Sequence, residues 1–353
     1  MVDVKKIKAN MYLLKTKKLG VIHLLSCAIG LCMISIISEN KLIWGVDKNN
    51  STRTTKTTDT DDDYQLAKDQ SFGFFADVPS SFWKRHHKIA SRYQPHLDAG
   101  NPLVFAPNSP ASFYQTNYDP NFSCSFEVRV GKNGNGDGPK WVCDPHNLIR
   151  LAEERRMKDS SVPGCLIYSV GSNGDFSFEE GIQELMGSSD VCEIHIFDMG
   201  DFEDKMPKGL NLHYHKVGLA KQKPEGDKEM LEIDWPKKED KSLFMGIRDI
   251  VKKLGHENRT AIDIFKIDCE NCEWETFGDW FDPSIPKMQQ ILVETHGAPR
   301  NTVLNFFDGI ANAGYMMFHK EANILGCGGS CIEFAFLKLD QPFHDDVNAL
   351  KKD

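Results

Sequence analysis

Between residues 165 and 338, short apolar runs recur with room for a helix between most of them. The pattern predicts strands at 165–170, 192–197, 211–217, 261–267, 290–294, 315–319 and 331–338. It predicts helices near 176–187, 241–254 and 301–313, where apolar positions follow the helical period. Strands alternating with helices imply a mostly parallel sheet covered on its faces, so the fold class is α/β. Only Lys320 to Ser330 separates the last two strands, too little for a crossover helix. Those two are expected to pair antiparallel at one edge.

Upstream, Phe122 to Val130 reads as a strand, Gly131 to Pro139 as a glycine-rich turn, and Pro145 to Met157 as a helix with Leu148, Ile149 and Leu151 on its apolar side. Ser71 to Leu97 mixes aromatic residues with a basic patch, a short helix placing His86 and His87 at the surface. Asn101 to Pro120 is rich in Pro and Asn and reads as loop. No apolar period marks Glu39 to Gln70, which is expected to be a flexible stem. The tail after Leu339 is expected to be loose.

The N-terminus has a different pattern. Six lysines (Lys5, Lys6, Lys8, Lys15, Lys17 and Lys18) precede an apolar run from Leu19 to Ser38. About twenty residues suffice to cross a bilayer as a helix. A cleaved signal would have a shorter apolar core, so an uncleaved signal anchor is favoured. Basic residues before the span put the N-terminus in the cytosol and the rest of the chain in the lumen or outside. The expected organisation is a basic tail (1–18), a transmembrane anchor (19–38), a stem and loop region (39–119), the α/β domain (120–340) and a tail (341–353).

Composition supports that placement. Of ten cysteines, Cys27 and Cys32 lie in the apolar span, which leaves eight for the body of the chain. An even number fits an oxidising compartment. Asn49 and Asn50, Asn121 and Asn258 open glycosylation acceptor triplets. The net charge of -9 is spread along the chain and argues against a nucleic-acid surface. Cys124 and Cys143 flank the glycine-rich turn, where they would staple a hairpin.

Ligands of open α/β sheets bind at the carboxyl ends of the strands. The first strand runs into Gly171, Ser172, Asn173, Gly174 and Asp175. There the two glycines let the backbone turn sharply and approach a ligand. Asp198 ends the second strand, roughly two dozen residues on, where a carboxylate can accept both hydroxyls of a ribose; a helix cap is the plainer alternative. Asp268 and Glu270 stand at and just beyond the tip of the 261–267 strand, with Glu273 and Glu275 as helix-start charges. His296, at the end of the 290–294 strand, is placed to act as a general base; a structural cap of the strand end is the plainer alternative.

These segments resemble a class I S-adenosylmethionine-dependent methyltransferase. The carrying residues are Tyr168 to Glu179, Phe197-Asp198, Phe265 to Glu270 and Val293 to His296. The likeness is nearest to the family of methyltransferase-like protein twenty-four, single-pass membrane proteins whose pattern Gly136 to Asp144 also resembles. FkbM-type methyltransferases are more distantly similar. The resemblance spans about residues 120 to 340. It implies a Rossmann-like methyltransferase sheet, with S-adenosyl-L-methionine held by Ser169, Gly171, Ser172, Asn173, Gly174, Asp175, Asp198 and Asp268. His296, Asp268 and Glu270 would then be catalytic. Many methyltransferases carry an acid where Ser169 stands, for which Asp175, Glu179 or Glu180 would compensate. FkbM-type strands also tend to have glycine where Asn271 stands.

The family's strand order makes the first two strands neighbours, so a Cys165–Cys192 bridge at the bottom of the sheet is geometrically open. It also places Cys269 and Cys272 about 10 Å from Cys327 and Cys331, two strand spacings that loops can close. Disulfides are favoured there, and a tetrahedral zinc site is the alternative. The reading is a Golgi or other secretory-pathway methyltransferase acting on a luminal acceptor, a glycan or glycoprotein hydroxyl. Its rivals are an inactive binding module and a dinucleotide oxidoreductase; the absence of Gly-x-Gly-x-x-Gly counts against the latter.

Overall fold

A computed structural model of the chain describes residues 62–93, 117–132, 139–187, 191–223, 231–234 and 241–352. The anchor at 19–38, the basic tail before it and the Asn49 and Asn50 acceptors lie outside these residues. Among the described residues no helix is long and apolar enough to cross a membrane.

The elements in chain order begin with helices α1 (Asp62–Gln70) and α2 (Ser80–Arg92), hairpin strands β1 (Glu127–Val130) and β2 (Lys140–Cys143), and helix α3 (Pro145–Lys158). The first half of the main sheet follows: β3 (Cys165–Val170), α4 (Ser177–Met186), β4 (Cys192–Asp198), β5 (Leu212–Leu219), β6 (Leu231–Asp234) and β7 (Lys241–Met245). The chain then returns through α5 (Ile247–Leu254) to β8 (Ile262–Ile267), α6 (Cys272–Thr276), β9 (Met288–Thr295) and α7 (Arg300–Asn312). It ends with β10 (Tyr315–Asn323), α8 (Ile324–Cys327), β11 (Cys331–Lys338) and α9 (Gln341–Lys352).

Nine strands form the main sheet in the order β10-β11-β9-β8-β3-β4-β5-β7-β6. Pairings from β9 through β8, β3, β4 and β5 to β7 are parallel, and β10, β11 and β6 add antiparallel edges. The central strand β3 is buried throughout because both sheet faces are covered. Its side chains alternate, with Cys165 and Ile167 packing in one apolar core and Leu166, Tyr168 and Val170 in the other. The order reverses at β3, which pairs with β4 on one side and β8 on the other. That reversal opens a crevice at the strands' carboxyl ends.

The antiparallel edge predicted for the last two strands is present, with Tyr315 opposite Lys338. Three expectations are corrected. The helix read at 241–254 begins only at Ile247, because 241–245 is strand β7, whose backbone pairs with Val217–Leu219 of β5. The strand read at 122–130 is confined to β1, paired antiparallel with β2 in a sheet of its own. The tail read as loose is helix α9, whose Phe343 and Val347, four residues apart, are both buried.

Phe343 packs on Trp83 of α2 at 5.5 Å between ring centroids. Trp83 Nε1 donates to Gln70 Oε1 at 2.6 Å, and Gln70 donates to Asp346 of α9 at 2.7 Å. Part of the stretch read as stem and loop therefore belongs to this helical layer. His87 is buried rather than at the surface, with its ring 2.7 Å from Gln70 Oε1.

Cysteine partners are local. Cys124–Cys143 staples the β1–β2 hairpin region and Cys165–Cys192 ties the starts of β3 and β4. Cys269 pairs with Cys272 and Cys327 with Cys331, so neither bridge crosses from one segment to the other. The reach across β9 is not needed, because each segment's own turn brings its two cysteines together.

Candidate active site

The crevice at the strand reversal is a cavity of about 610 Å³, within the range of ordinary small-molecule sites. One wall is the β3–α4 turn. Gly171 has φ +75°, and a Cβ there would lie 1.7 Å from the Asp268 carbonyl oxygen, so only glycine fits. The turn is held from three sides. Gly171 N donates to Phe197 O at 2.9 Å, and Lys266 Nζ donates to the Gly171 carbonyl. Asp198 Oδ2 accepts from Ser172 N at 2.8 Å and Asn173 N at 2.7 Å, while its Oδ1 accepts from Gly200 N at 2.8 Å. Asp198 thus fixes the turn's shape while facing the cavity.

The opposite wall carries Asp268, Glu270 and His296, brought together by the ends of β8 and β9. Glu273, fully buried in α6, accepts from the His296 backbone N at 3.0 Å and sits 2.9 Å from its Nδ1. That contact leaves His296 Nε2 toward Glu270, whose Oε2 is 3.3 Å away. Burial alone would lower the imidazole pKa, but Glu273's hydrogen bond and charge, with Glu270 and Glu294, push it up to about 9. Glu273, read from sequence as a helix-start charge, orients this histidine.

Beneath Asp268 lies a buried charge cluster. Lys140, on β2, is 1% exposed, and its Nζ reaches Glu333 Oε1 at 2.6 Å, Asp268 Oδ2 at 3.3 Å and Glu294 Oε2 at 3.7 Å. One cation cannot keep three close carboxylates ionised, so they separate. Burial raises Asp268, but Lys140, Lys266 and a hydrogen bond from Glu294 outweigh it and take it down to about 2. Burial and the charges of Glu333 and Asp268 push Glu294 up to about 9, leaving it protonated and donating to Asp268 near neutral pH.

Of the residues expected at the site, Gly171, Ser172, Asn173, Asp175, Asp198, Asp268, Glu270 and His296 line the cavity. Ser169 and Gly174 do not. Ser169 is buried, and its hydroxyl donates to Glu179 Oε1 at 2.5 Å. Gly174 turns toward Phe202. Among the acids that would compensate for Ser169, Glu179 stands directly behind it, Asp175 lines the cavity paired with Lys132, and Glu180 is exposed. Sequence reasoning missed Lys140, Lys266, Glu273, Glu294 and Glu333. The available signal was a charge inside a largely apolar strand, as in Lys266 of β8 and Glu333 of β11.

These walls fit S-adenosylmethionine: a bare-backbone turn for close approach, a carboxylate at the next strand end and a polar far side. A family model described as a methyltransferase domain matches residues 65–338. That is well over half of the chain, and the chain belongs to this family. It is a methyltransferase, and its methyl donor is S-adenosylmethionine. No curated protein sequence matches it significantly.

Solved structures similar to it include a fibrillarin pre-rRNA processing protein of Methanococcus jannaschii, at 6% identity and TM-score 0.32, covering 49% of this chain and 66% of that one. A 1,6-didemethyltoxoflavin-N1-methyltransferase of Burkholderia thailandensis with bound S-adenosylhomocysteine matches at 6% identity and TM-score 0.31, covering 63% and 100%. A TehB-like methyltransferase of Corynebacterium glutamicum matches at 10% identity and TM-score 0.27, covering 53% and 88%. Likeness at these TM-scores carries no weight for the acceptor.

Proposed function

We propose that this member of the methyltransferase-domain family methylates an oxygen acceptor, a hydroxyl of a carbohydrate or glycoprotein, in the lumen of the Golgi or another secretory-pathway compartment. The observation that carries the reading is the pairing of Asp198's wall with the Asp268–Glu270–His296 wall across one cavity. The first suits the donor and the second suits proton removal from an acceptor. Four close cysteine pairs support an oxidising compartment. So does the apolar run at 19–38 behind its lysines, proposed as the membrane anchor. The likeness to the methyltransferase-like protein twenty-four family agrees with both.

The donor supplies an electrophilic sulfonium methyl, so the chain's task is alignment and exclusion of water. The Gly171–Asp175 turn and Asp198 would hold the adenosine and methionine portions. When bound, the donor would supply the methyl to the acceptor oxygen and leave as S-adenosylhomocysteine, so the chain's residues need only hold that oxygen in line and take its proton. The hydroxyl proton passes to His296 Nε2 in its neutral form, steadied through Nδ1 by Glu273. Asp268, ionised beside Lys140, would orient the acceptor.

The test is incubation of the folded chain with isotopically labelled donor and secretory glycoproteins, followed by enzymatic release of glycans. Alongside it, S-adenosylmethionine is titrated calorimetrically into the parent and Asp198→Ala. Label in released glycans, lost in His296→Gln, supports the reading. Label elsewhere moves the acceptor off sugar. Donor binding without any transfer favours an inactive binding module, which Ser169's retreat from the cavity would fit. Equal binding by parent and Asp198→Ala removes Asp198 from the donor contact.

A further inference from the structure

A second cluster of chemistry lies away from the cavity, on the lower half of β4 and β5. Strand alternation puts Glu193 and His195 on one face of β4, and His213 and His215 on one face of β5. The register sets His195 directly opposite His213, with stacked rings 4.7 Å apart. A ligating atom from each of Glu193, His195 and His213 lies within 4.8 Å of the other two. None of these residues lines the cavity. His195 stands three residues before Asp198, about 10 Å down the strand.

The neighbours account for the other ring atoms. His195 Nδ1 is 2.9 Å from His215 Nε2, and His213 Nε2 is 3.0 Å from Asn211 Oδ1. Arg259 donates to Glu193 Oε1, which is also 3.5 Å from His256 Nε2. His256 Nδ1 in turn meets the Tyr168 hydroxyl at 2.7 Å. One atom has no partner: His195 Nε2 is buried without a hydrogen bond, in a residue only 6% exposed. Buried polar atoms are nearly always satisfied, so one that is not asks for a ligand.

We propose that His195 Nε2, His213 and Glu193 Oε2 form a binding site for a divalent transition-metal ion of the zinc class. Two imidazoles and a carboxylate are a donor set suited to that ion, and the remaining position faces solvent beside exposed His213. His215 on His195 Nδ1 and Asn211 on His213 Nε2 are the outer partners that fix ring orientation in such sites. Arg259 keeps Oε1, and its charge makes the site weaker than one of three histidines. The bound ion would tie β4 to β5 below the donor wall.

The experiment uses the full chain, stripped with chelator and titrated with Zn²⁺ by calorimetry and with Co²⁺ by visible absorption. The expected result is one saturable equivalent per chain, with cobalt bands of a nitrogen–oxygen site and no thiolate charge transfer. His195→Gln and His213→Gln should each weaken binding at least about tenfold. His213 is exposed, so its variant should melt like the parent when metal-free, which keeps the test sound if His195→Gln misfolds. No saturable binding by the parent overturns the proposal, and so does affinity unchanged in His213→Gln. A thiolate charge-transfer band also overturns it, by placing the metal on reduced cysteines, as Cys327 and Cys331 beside Glu294 would be if their bridge were opened.

Discussion

The backbone of Gly171 passes so close to Asp268 that a Cβ at position 171 would stand 1.7 Å from the Asp268 carbonyl oxygen. This contact joins the two walls of the cavity, since one residue belongs to the donor turn and the other to the acceptor side. Gly171→Ala must therefore push β3's turn away from β8, at a backbone angle that alanine itself avoids. The expected result is a loss of S-adenosylmethionine affinity of at least about tenfold, or about 1.4 kcal/mol. Calorimetry on a variant that still unfolds cooperatively would measure it, and unchanged affinity would show that the turn does not touch the donor.

Lys140 is the one cation among the described residues in ion-pair contact with all of Asp268, Glu294 and Glu333. Replacing it with methionine keeps the volume but leaves buried carboxylate charge without its contacting counter-ion, with only Lys266 and His296 still acting on Asp268. Such a change costs about 3–5 kcal/mol. Urea unfolding of Lys140→Met should show a lower midpoint of that size. A variant as stable as the parent would mean the carboxylates stay neutral without the lysine.

The activity should depend on pH through His296. A base accepts a proton only when unprotonated, and its pKa near 9 leaves most of it protonated at neutrality. The rate should therefore rise as pH increases, reaching half its plateau near 9 and levelling only above it. His296→Gln should remove the inflection and lower the rate by roughly 10²–10⁴. A rate that instead falls as pH passes 9 would assign His296 as a proton donor and end its role as base.

Luminal placement predicts glycans at particular asparagines. Asn258 is exposed in the turn after α5, whereas Asn121 is half-buried, and its Oδ1 accepts from Met317 N at 2.8 Å. Chain secreted or anchored in cultured cells should carry a glycan at Asn258 and none at Asn121, read by peptide mapping before and after enzymatic deglycosylation. Unmodified asparagine at 49, 50 and 258 together would place the domain outside the lumen.

Much of this protein was legible along its chain. The apolar runs of β3, β4, β8 and β11 announce buried strands because a strand covered on both faces must be apolar on both. The glycine turn and Asp198 were visible because strand ends of such sheets face one side. The anchor reading at 19–38 rests on sequence alone. Local periodicity misjudged α9, whose few apolar residues become a helix face only once Trp83 and Phe122 are there to receive Phe343. It also merged β7 with α5, since pairing to β5 is a long-range fact.

The site divides the same way. The sequence alone determined which strand tips bear Asp198, Asp268, Glu270 and His296. Only tertiary structure decided their states, because a carboxyl's charge depends on what lies within a few ångströms of it. Lys140 arrives from a hairpin 128 residues before Asp268 and holds it ionised, while Glu294 beside them keeps its proton. Glu273 becomes the histidine's partner through a turn of α6, and Ser169 turns to Glu179 rather than to the cavity. Spacing along a chain places residues on elements. Distances between elements set burial, pairing and proton occupancy.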